Sequence, residues 1–142
     1  MNAPISYRTD DPQAAQYRDL FETTGWNAMY RASAEELIAG LRASWHHVCA
    51  YDTSRLVATG RLLSDGILYA VMFDIIVDPQ YQRHGIGSEI VQRLLTHCQD
   101  AGIRDILLFS AKGTEPFYRR FGFGPRPAEA PGMILRKTVS KD

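Results

Sequence analysis

The chain has 142 residues, and its 16 lysine and arginine residues balance its 16 aspartate and glutamate residues. This length suffices to bury the core of one domain over residues 1–142, and the even charge argues against nucleic acid or an anionic membrane surface as the main partner. No stretch approaches the roughly 20 continuous apolar residues of a membrane-spanning helix, and the N-terminus lacks the pattern of a secretion signal. We therefore expect a cytoplasmic protein.

The first part of the chain predicts a strand and then a helix. Residues 5–8 have the pattern of a short strand. Asp11 is placed to cap the following helix, with Pro12 in its first turn. The helix is expected to run to about Thr24, where Gly25 ends it. An aromatic-rich loop is expected after this glycine, up to about residue 31.

A second helix and two strands follow. Ser33 and Glu36 have the spacing of a capping box, which starts the helix. Strands are predicted over residues 47–51 and 56–63, joined by a short turn. Another turn then leads into a long strand that ends at Val77.

This long strand and the helix behind it form the centre of the predicted fold. The strand ends in a run of β-branched apolar residues, which is typical of a buried strand, and Pro79 stops it because proline cannot donate to a sheet. The next helix places its apolar residues on one face, and Gly102 suits the position just past its end. The apolar face consists of Ile86, Ile90, Val91, Leu94, Leu95 and Cys98.

The last part of the chain predicts a strand over 106–109, a short helix over about 114–120, a proline-rich loop and a closing strand over 133–139. The whole order predicts a mixed α/β domain. Its first strands form an antiparallel meander, and the central helix then crosses over to a further strand.

A glycine-bearing loop joins the central strand to the central helix, with the pattern Gln82-x-x-Gly85-x-Gly87. Glycines let the backbone approach a ligand, and N–H groups at a helix start attract an anion. A plain tight turn between strand and helix would contain the same glycines. The pattern fits neither the dinucleotide fingerprint nor the P-loop.

The loop resembles the pyrophosphate loop of the GNAT superfamily of N-acetyltransferases, Gln/Arg-x-x-Gly-x-Gly/Ala, and the superfamily's Val-x-Pro precedes it at Val77 and Pro79. The resemblance implies acetyl-CoA as the cofactor and a GNAT-like mixed sheet with splayed strands. It also implies that the diphosphate lies on the loop and that the pantetheine arm lies along the central strand. The implied cofactor-binding residues are Ile75, Ile76, Val77, Gln82, Arg83, His84, Gly85, Ile86, Gly87, Ser88, Ser110 and Phe117.

A second motif, Phe117-Tyr118-x-x-x-Gly122-Phe123, resembles the GNAT signature Phe-Tyr-x-x-x-Gly-Phe. By this resemblance Tyr118 protonates the departing thiolate, as a phenol with a pKa near 10 can do at neutral pH. The alternative is that Tyr118 is a half-buried aromatic residue without a chemical role. Many members also have an asparagine before the tyrosine, where this chain has Ala111; Ser110 could substitute for it.

The group that takes the proton from the amine is less evident. Members of the family often place a Glu or His on the central strand, but Val71 and Phe73 occupy the expected positions here. Asp74 is the remaining candidate. It could bind the substrate ammonium or pass its proton to water, or it could pair with a basic residue for structure. A bulge at the splay would change the face on which Asp74 lies.

The sequence gives no sign of a metal site or of a covalent enzyme intermediate. Cys49 and Cys98 both fall on apolar faces, which favours buried free thiols over a disulfide or a metal pair. The four histidines show no metal-ligand spacing. We therefore expect direct attack of the amine on the thioester.

Longer segments, including Phe73 to Gln82 and Phe117 to Phe123, are similar to the plant-type serotonin (arylalkylamine) N-acetyltransferases and their bacterial relatives. This implies a small-molecule primary amine as the acceptor, arylalkylamine or polyamine-like, and a homodimer. Trp26, Tyr30 and Phe73 could line the acceptor pocket or belong to the core. Two alternatives stay open: acetylation of a protein N-terminus or lysine, and a CoA-binding module without turnover.

Overall fold

The computed structural model describes residues 4–137. The chain divides into two compact units, Met1–Leu108 and Phe109–Asp142, which we call the N-terminal and the C-terminal unit. The prediction that residues 1–142 form a single domain stays a prediction. Among the described residues, no helix combines the length and the apolarity that crossing a membrane requires.

The N-terminal unit contains one sheet with helices on both faces, and this mixed α/β architecture was predicted from the sequence. Its elements are β1 (Ser6–Arg8), α1 (Ala14–Glu22), α2 (Asn27–Tyr30), α3 (Ala34–Arg42), β2 (His46–Asp52), β3 (Arg55–Ser64), β4 (Tyr69–Val77), a 3₁₀ turn (Pro79–Tyr81), α4 (Ile86–Asp100) and β5 (Asp105–Leu108). The sheet has the order β1-β2-β3-β4-β5, antiparallel up to β4, while β5 pairs parallel to β4 after the crossover through α4.

The two helical layers lie on opposite faces of the sheet. Neighbouring residues of β3 show this, because side chains alternate between the faces of a strand. Arg61 Nη1 donates to the carbonyl oxygen of Gly40 in α3, at 3.0 Å. A Cβ atom added to Gly60 would instead lie 2.6 Å from Cγ2 of Ile90 in α4. We call these the α3 face and the α4 face.

Burial confirms the predicted core positions. All six residues of the predicted apolar face of the central helix are buried, from Ile86 to Cys98. On the α3 face, a second cluster joins the buried side chains of α1 and α3 to β2, β3 and β4. Cys49 belongs to this cluster and Cys98 to α4, and both are buried free thiols as predicted.

The predicted capping box is present, whereas the predicted cap at Asp11 is wrong. Ser33 Oγ accepts from the N–H of Glu36 at 3.1 Å, and Glu36 Oε1 accepts from the N–H of Ser33 at 3.0 Å. Helix α1 begins only at Ala14, beyond the reach of Asp11. Asp11 instead accepts from Arg42 Nε at 3.2 Å and so ties the segment before α1 to the end of α3.

Two further predictions need correction. The aromatic-rich segment after Gly25 contains the short helix α2, and Arg31, the residue after the helix, has the left-handed conformation with φ 54°. The closing strand predicted over 133–139 is not formed over residues 133–137, and Thr138 and Val139 lie outside the described residues. A strand in a sheet would bury part of this apolar segment, but Met133, Ile134 and Leu135 are 93%, 76% and 99% exposed.

Candidate active site

A β-bulge interrupts the pairing of β3 with β4. The register pairs Arg61 with Phe73 and Thr59 with Ile76, so the single residue Gly60 lies opposite both Asp74 and Ile75. Asp74 adopts the left-handed conformation, with φ 55°. Bulges redirect side chains, and this one sends the Asp74 carboxylate towards Arg61 on the α3 face.

Glycine is required at position 60 because α4 packs directly against the bulge. A Cβ atom there would lie 2.6 Å from Ile90 Cγ2, 2.7 Å from Ile75 Cδ1 and 3.0 Å from Leu94 Cδ1. Observed Cβ atoms essentially never approach so closely. The missing side chain therefore allows α4 to lie close to the strand that leads into the glycine loop.

Strand β4 continues beyond the part that pairs with β5, and the predicted splay of the two strands stays a prediction. The ladder between β4 and β5 ends at the pair Met72 and Leu108. Strand β4 nevertheless continues to Val77, where it still pairs with Ala58 of β3. Residues 74–77, which include the predicted cofactor contacts Ile75, Ile76 and Val77, thus extend past the end of the β5 ladder. Backbone groups in such a position can pair with an extended ligand, as a peptide pairs with a sheet edge.

The loop after β4 is held by side chains of its own. Asp78 Oδ1 accepts from the N–H of Gln80 at 2.9 Å, and Asp78 Oδ2 accepts from Arg55 at 2.9 Å. Gln82 Nε2 donates to the carbonyl oxygen of Val77 at 3.1 Å, so the predicted cofactor residue Gln82 fastens the loop to the strand end. Tyr81 donates its hydroxyl hydrogen to Asp52 at 2.6 Å.

The chain then turns sharply into α4. Arg83 and Gly85 both have positive φ, at 67° and 79°, and Gly85 is the N-cap of the helix. A Cβ atom on Gly85 would meet no atom within 4 Å, so the space in front of the helix start is open. Arg83 and His84 are exposed beside it.

The start of α4 suits an anionic ligand. N–H groups in the first turn of a helix have no carbonyl acceptor within it, and here they belong to a 15-residue helix whose cap has no side chain. The predicted residues Ile86, Gly87 and Ser88 form this turn. A diphosphate therefore fits the open space, the backbone donors and the neighbouring Arg83.

A cavity of about 420 Å³ lies on the α3 face of the N-terminal unit. Its aromatic residues include Tyr30 and Phe73, two of the three that the sequence suggested; Trp26 instead packs edge-on against Phe21, with ring centroids 5.9 Å apart. The lining consists of Tyr17, Phe21, Tyr30, Ala32, Glu36, Leu37, Gly40, Arg61, Leu63, Phe73 and Asp74.

Asp74 is held inside this cavity by an ion pair. Its Oδ2 accepts from Arg61 Nε at 3.0 Å, and the two side chains are only 19% and 22% exposed. Of the roles predicted for Asp74, pairing with a basic residue is therefore observed. Burial, with a contribution from the Asp74 charge, raises the pKa of Tyr17 to about 12, so this phenol stays protonated beside the pair.

Eight of the eleven lining residues were not predicted from the sequence, among them Tyr17, Phe21, Glu36 and Arg61. The first two have the apolar pattern of any core residue of a helix. Arg61 is one of nine arginines in residues 1–108, and its partner is visible only once the bulge is known. Glu36 did carry a local signal, but the capping box accounts for that signal completely.

The C-terminal unit contains α5 (Glu115–Arg119), which agrees with the predicted short helix. The predicted residues Phe117 and Tyr118 belong to an aromatic cluster, with ring centroids 5.0 Å apart between them and 6.1 Å between Tyr118 and Phe123. Burial raises the pKa of Tyr118 above the ordinary value of 10.0. Ser110 is exposed. The chemical roles predicted for Ser110, Phe117 and Tyr118 stay predictions.

Comparison with known proteins gives a consistent result. The sequence model of the acetyltransferase (GNAT) family matches residues 10–123. The chain is 34% identical over 87 residues to serotonin N-acetyltransferase 2 of rice, a chloroplastic protein, covering 61% of this chain and 44% of that one. It is 33% identical over 126 residues to the histone acetyltransferase TAP1 of soybean, covering 81% and 53% respectively. The chain thus spans about half the length of these curated relatives.

Solved structures agree with the fold. A probable acetyltransferase from methicillin-resistant Staphylococcus aureus is 25% identical and superimposes with a TM-score of 0.83. The match covers 94% of this chain and all of that one, so the architecture described above is shared along nearly the full length.

Proposed function

Because the chain belongs to the GNAT family of acetyltransferases, we propose that it transfers the acetyl group of acetyl-CoA to a primary amine of a small molecule. One observation supports this most directly: strand β4 extends past its ladder with β5 and leads into an open, glycine-capped helix start. The bulge of the same strand borders a cavity lined by aromatic side chains and carboxylates. The proposed cofactor and acceptor sites thus share one strand.

On the cofactor side, Arg83, His84, Gly85 and the first turn of α4 would hold the diphosphate. Backbone groups of residues 75–77 would pair with the amides of the pantetheine arm. When bound, acetyl-CoA supplies an acyl group activated as a thioester. The N–H groups of β4 would stabilise the negative charge that develops on the carbonyl oxygen, and loss of one such donor typically lowers the rate about 10²–10³-fold.

On the acceptor side, the aromatic cavity would hold the body of the amine. Asp74 lies next to residues 75–77 and can hold the ammonium group or receive its proton through water, while Arg61 holds the carboxylate in place. Tyr118 would return a proton to the sulfur that leaves. We expect no covalent enzyme intermediate, because neither cysteine is available as a nucleophile. Both are buried, and burial raises the pKa of Cys49 to about 12.

The rival activity is acetylation of a peptide or protein amine, which is suggested by the name of the soybean relative, a histone acetyltransferase. The size and lining of the cavity favour a small acceptor, since 420 Å³ suits one compact molecule and not an extended peptide. A homodimer and a cytoplasmic location remain predictions.

The test is a panel of small amines and of peptides with free N-termini or lysines, each incubated with acetyl-CoA while thiol release is followed. We expect release with small amines at kcat/KM values well above those of all peptides. Preferential acetylation of peptides would favour the rival activity. CoA binding without thiol release from any acceptor would support the third reading, a module that binds the cofactor without turnover.

A further inference from the structure

We propose that Glu36 determines acceptor specificity and that the acceptor is a diamine, whose second ammonium group stays charged while the first amine is acetylated. This inference rests on the proposed function and deepens it, because it selects one class among the small amines. It follows from the charges that line the cavity on the α3 face and from where those charges lie.

The lining of the cavity carries one negative charge in excess. Its charged residues are Glu36, Arg61 and Asp74. Arg61 and Asp74 neutralise one another across 3.0 Å. Within residues 4–137 Glu36 forms no salt bridge, and its exposed carboxylate is accessible to a cationic group of a ligand in the cavity.

Glu36 and Asp74 lie on different walls of the cavity. Asp74 belongs to the sheet, and Arg61 spans from it to the carbonyl oxygen of Gly40 in α3. Glu36 lies four residues before Gly40, which is about 6 Å further along the helix axis at 1.5 Å per residue. The rest of the lining is largely aromatic and aliphatic. The cavity thus suits a molecule with polar groups at two ends and an apolar middle.

The chemistry of the transfer decides what the second end must be. The attacking amine must be neutral, and during the reaction its nitrogen forms a bond to the acyl carbon, the carbon–sulfur bond breaks, the nitrogen loses a proton and the sulfur gains one. The product is an uncharged amide. This amine therefore cannot balance Glu36 through the reaction, whereas a second ammonium remains charged throughout. Aromatic faces such as those of Tyr30 and Phe73 also attract cations.

Glu36 is also fixed in place before any ligand binds. Its Oε1 accepts from the N–H of Ser33 at 3.0 Å, so the carboxylate is held by the capping box. Its role in the cap can be separated from its charge, because glutamine completes a capping box as well as glutamate does. Glu36→Gln removes the charge and keeps the cap, whereas Ser33→Ala weakens the cap and keeps the charge.

The experiment compares 1,5-diaminopentane with n-hexylamine, which has the same number of heavy atoms but ends in a methyl group. Thiol release from acetyl-CoA gives kcat/KM for each, divided by two for the diamine because it has two equivalent amines. We expect the native protein to prefer the diamine about 10-fold, as for a hydrogen-bonded charge pair. In Glu36→Gln the preference should fall to less than 3-fold, with the unfolding temperature unchanged.

Ser33→Ala should show the opposite pattern, with a lower unfolding temperature and an unchanged preference. Equal use of the two amines by the native protein, or a preference that survives in Glu36→Gln, would overturn the diamine inference and leave the proposed function intact. If no amine of any kind releases thiol, the proposed function fails, and the inference fails with it.

Discussion

The two units of the chain differ in how they are held together and in how they are charged. The N-terminal unit has a continuous buried core, whereas none of the described residues of the C-terminal unit is fully buried. Residues 1–108 contain 9 lysine and arginine against 13 aspartate and glutamate residues, while residues 109–142 contain 7 against 3. The balanced total of the chain therefore conceals an acidic unit and a basic one.

Under the proposed function, the two units would supply different parts of the reaction. The N-terminal unit contains the rigid features: the bulge, the glycine loop and the cavity, each fixed by packing or by hydrogen bonds. The C-terminal unit carries an excess of positive charge and an aromatic cluster around Tyr118. We expect substitutions in the packed parts of the first unit to change stability, and loss of the Tyr118 hydroxyl group in the second to lower turnover.

The largest effect is expected for a substitution in the C-terminal unit. Tyr118→Phe removes one hydroxyl group and should lower kcat about 10²–10⁴-fold, because the departing sulfur loses its proton donor, with little change in cofactor affinity. Steady-state kinetics and CoA titration measure the two quantities. Tyr69→Phe, which removes the hydroxyl of a half-exposed tyrosine on β4, serves as the control and should leave both unchanged. Equal activity of the two variants would remove Tyr118 from the mechanism.

The next effect tests binding in the N-terminal unit. Gly85→Asp places a carboxylate in the open space before α4 and should weaken CoA binding at least about 100-fold, through repulsion of the diphosphate. Gly85→Asn has the same shape without the charge and tolerates a positive φ, so it isolates the electrostatic part. Calorimetric titration with CoA gives both affinities. Unaltered binding by the aspartate variant would mean that the diphosphate lies elsewhere.

A smaller effect compares the packing of the two units directly. Gly60→Ala should lower the free energy of unfolding by about 1–3 kcal/mol, because the new methyl group collides with Ile90 and Ile75. Gly124→Ala in the C-terminal unit meets no atom within 4 Å and should change stability by less than about 0.5 kcal/mol. Urea unfolding measures both. Similar losses in the two variants would contradict the contrast between the units.

The smallest effect depends on pH. His46 stacks on His97 with ring centroids 3.6 Å apart, and burial, reinforced by the neighbouring His97 and His47, lowers the pKa of His46 to about 4. The unfolded chain, with a pKa near 6.5, binds the proton more readily. The stabilising contribution of neutral His46 is therefore complete above pH 6.5 and is lost as the pH falls towards 4.

His46→Phe keeps an aromatic ring in the stack but cannot be protonated. Between pH 7 and pH 5, we expect the free energy of unfolding of the variant to fall by about 1 kcal/mol less than that of the native protein. This value is reduced for the partial exposure of the ring. Urea unfolding at the two pH values measures this difference. Parallel pH dependence in both proteins would show that His46 is not the group responsible.

How much was predictable depended on whether a feature is local. The buried face of α4 follows from the spacing of apolar residues along one helix, and the capping box follows from two residues three apart. The bulge does not, because it is a mismatch between two strands, in which Gly60 opposes two residues of β4. The cavity was only partly visible for the same reason, since Arg61 and Asp74 meet through that mismatch.

Two wrong predictions have the same origin. Asp11 has the residue type of a helix cap, but a cap is defined by where the helix begins, and α1 begins later. Residues 133–135 are three consecutive apolar residues, as a buried strand can have, yet a strand also needs a partner, which the pattern of a single segment cannot supply. In both cases the local pattern did not determine the structure, because the structure also depends on tertiary contacts.

The left-handed backbone at Asp74 has a consequence for the tolerance of this position to mutation. Strand interiors usually favour valine and isoleucine, but at φ 55° a branched Cβ collides with its own backbone, so these residues should be the worst tolerated. Asparagine and glycine should be the best tolerated. In a saturation library, the residues tolerated at position 74 should therefore rank in the reverse order of the usual strand propensities. Such a ranking would report the backbone conformation at this position, separately from any chemical role of the carboxylate.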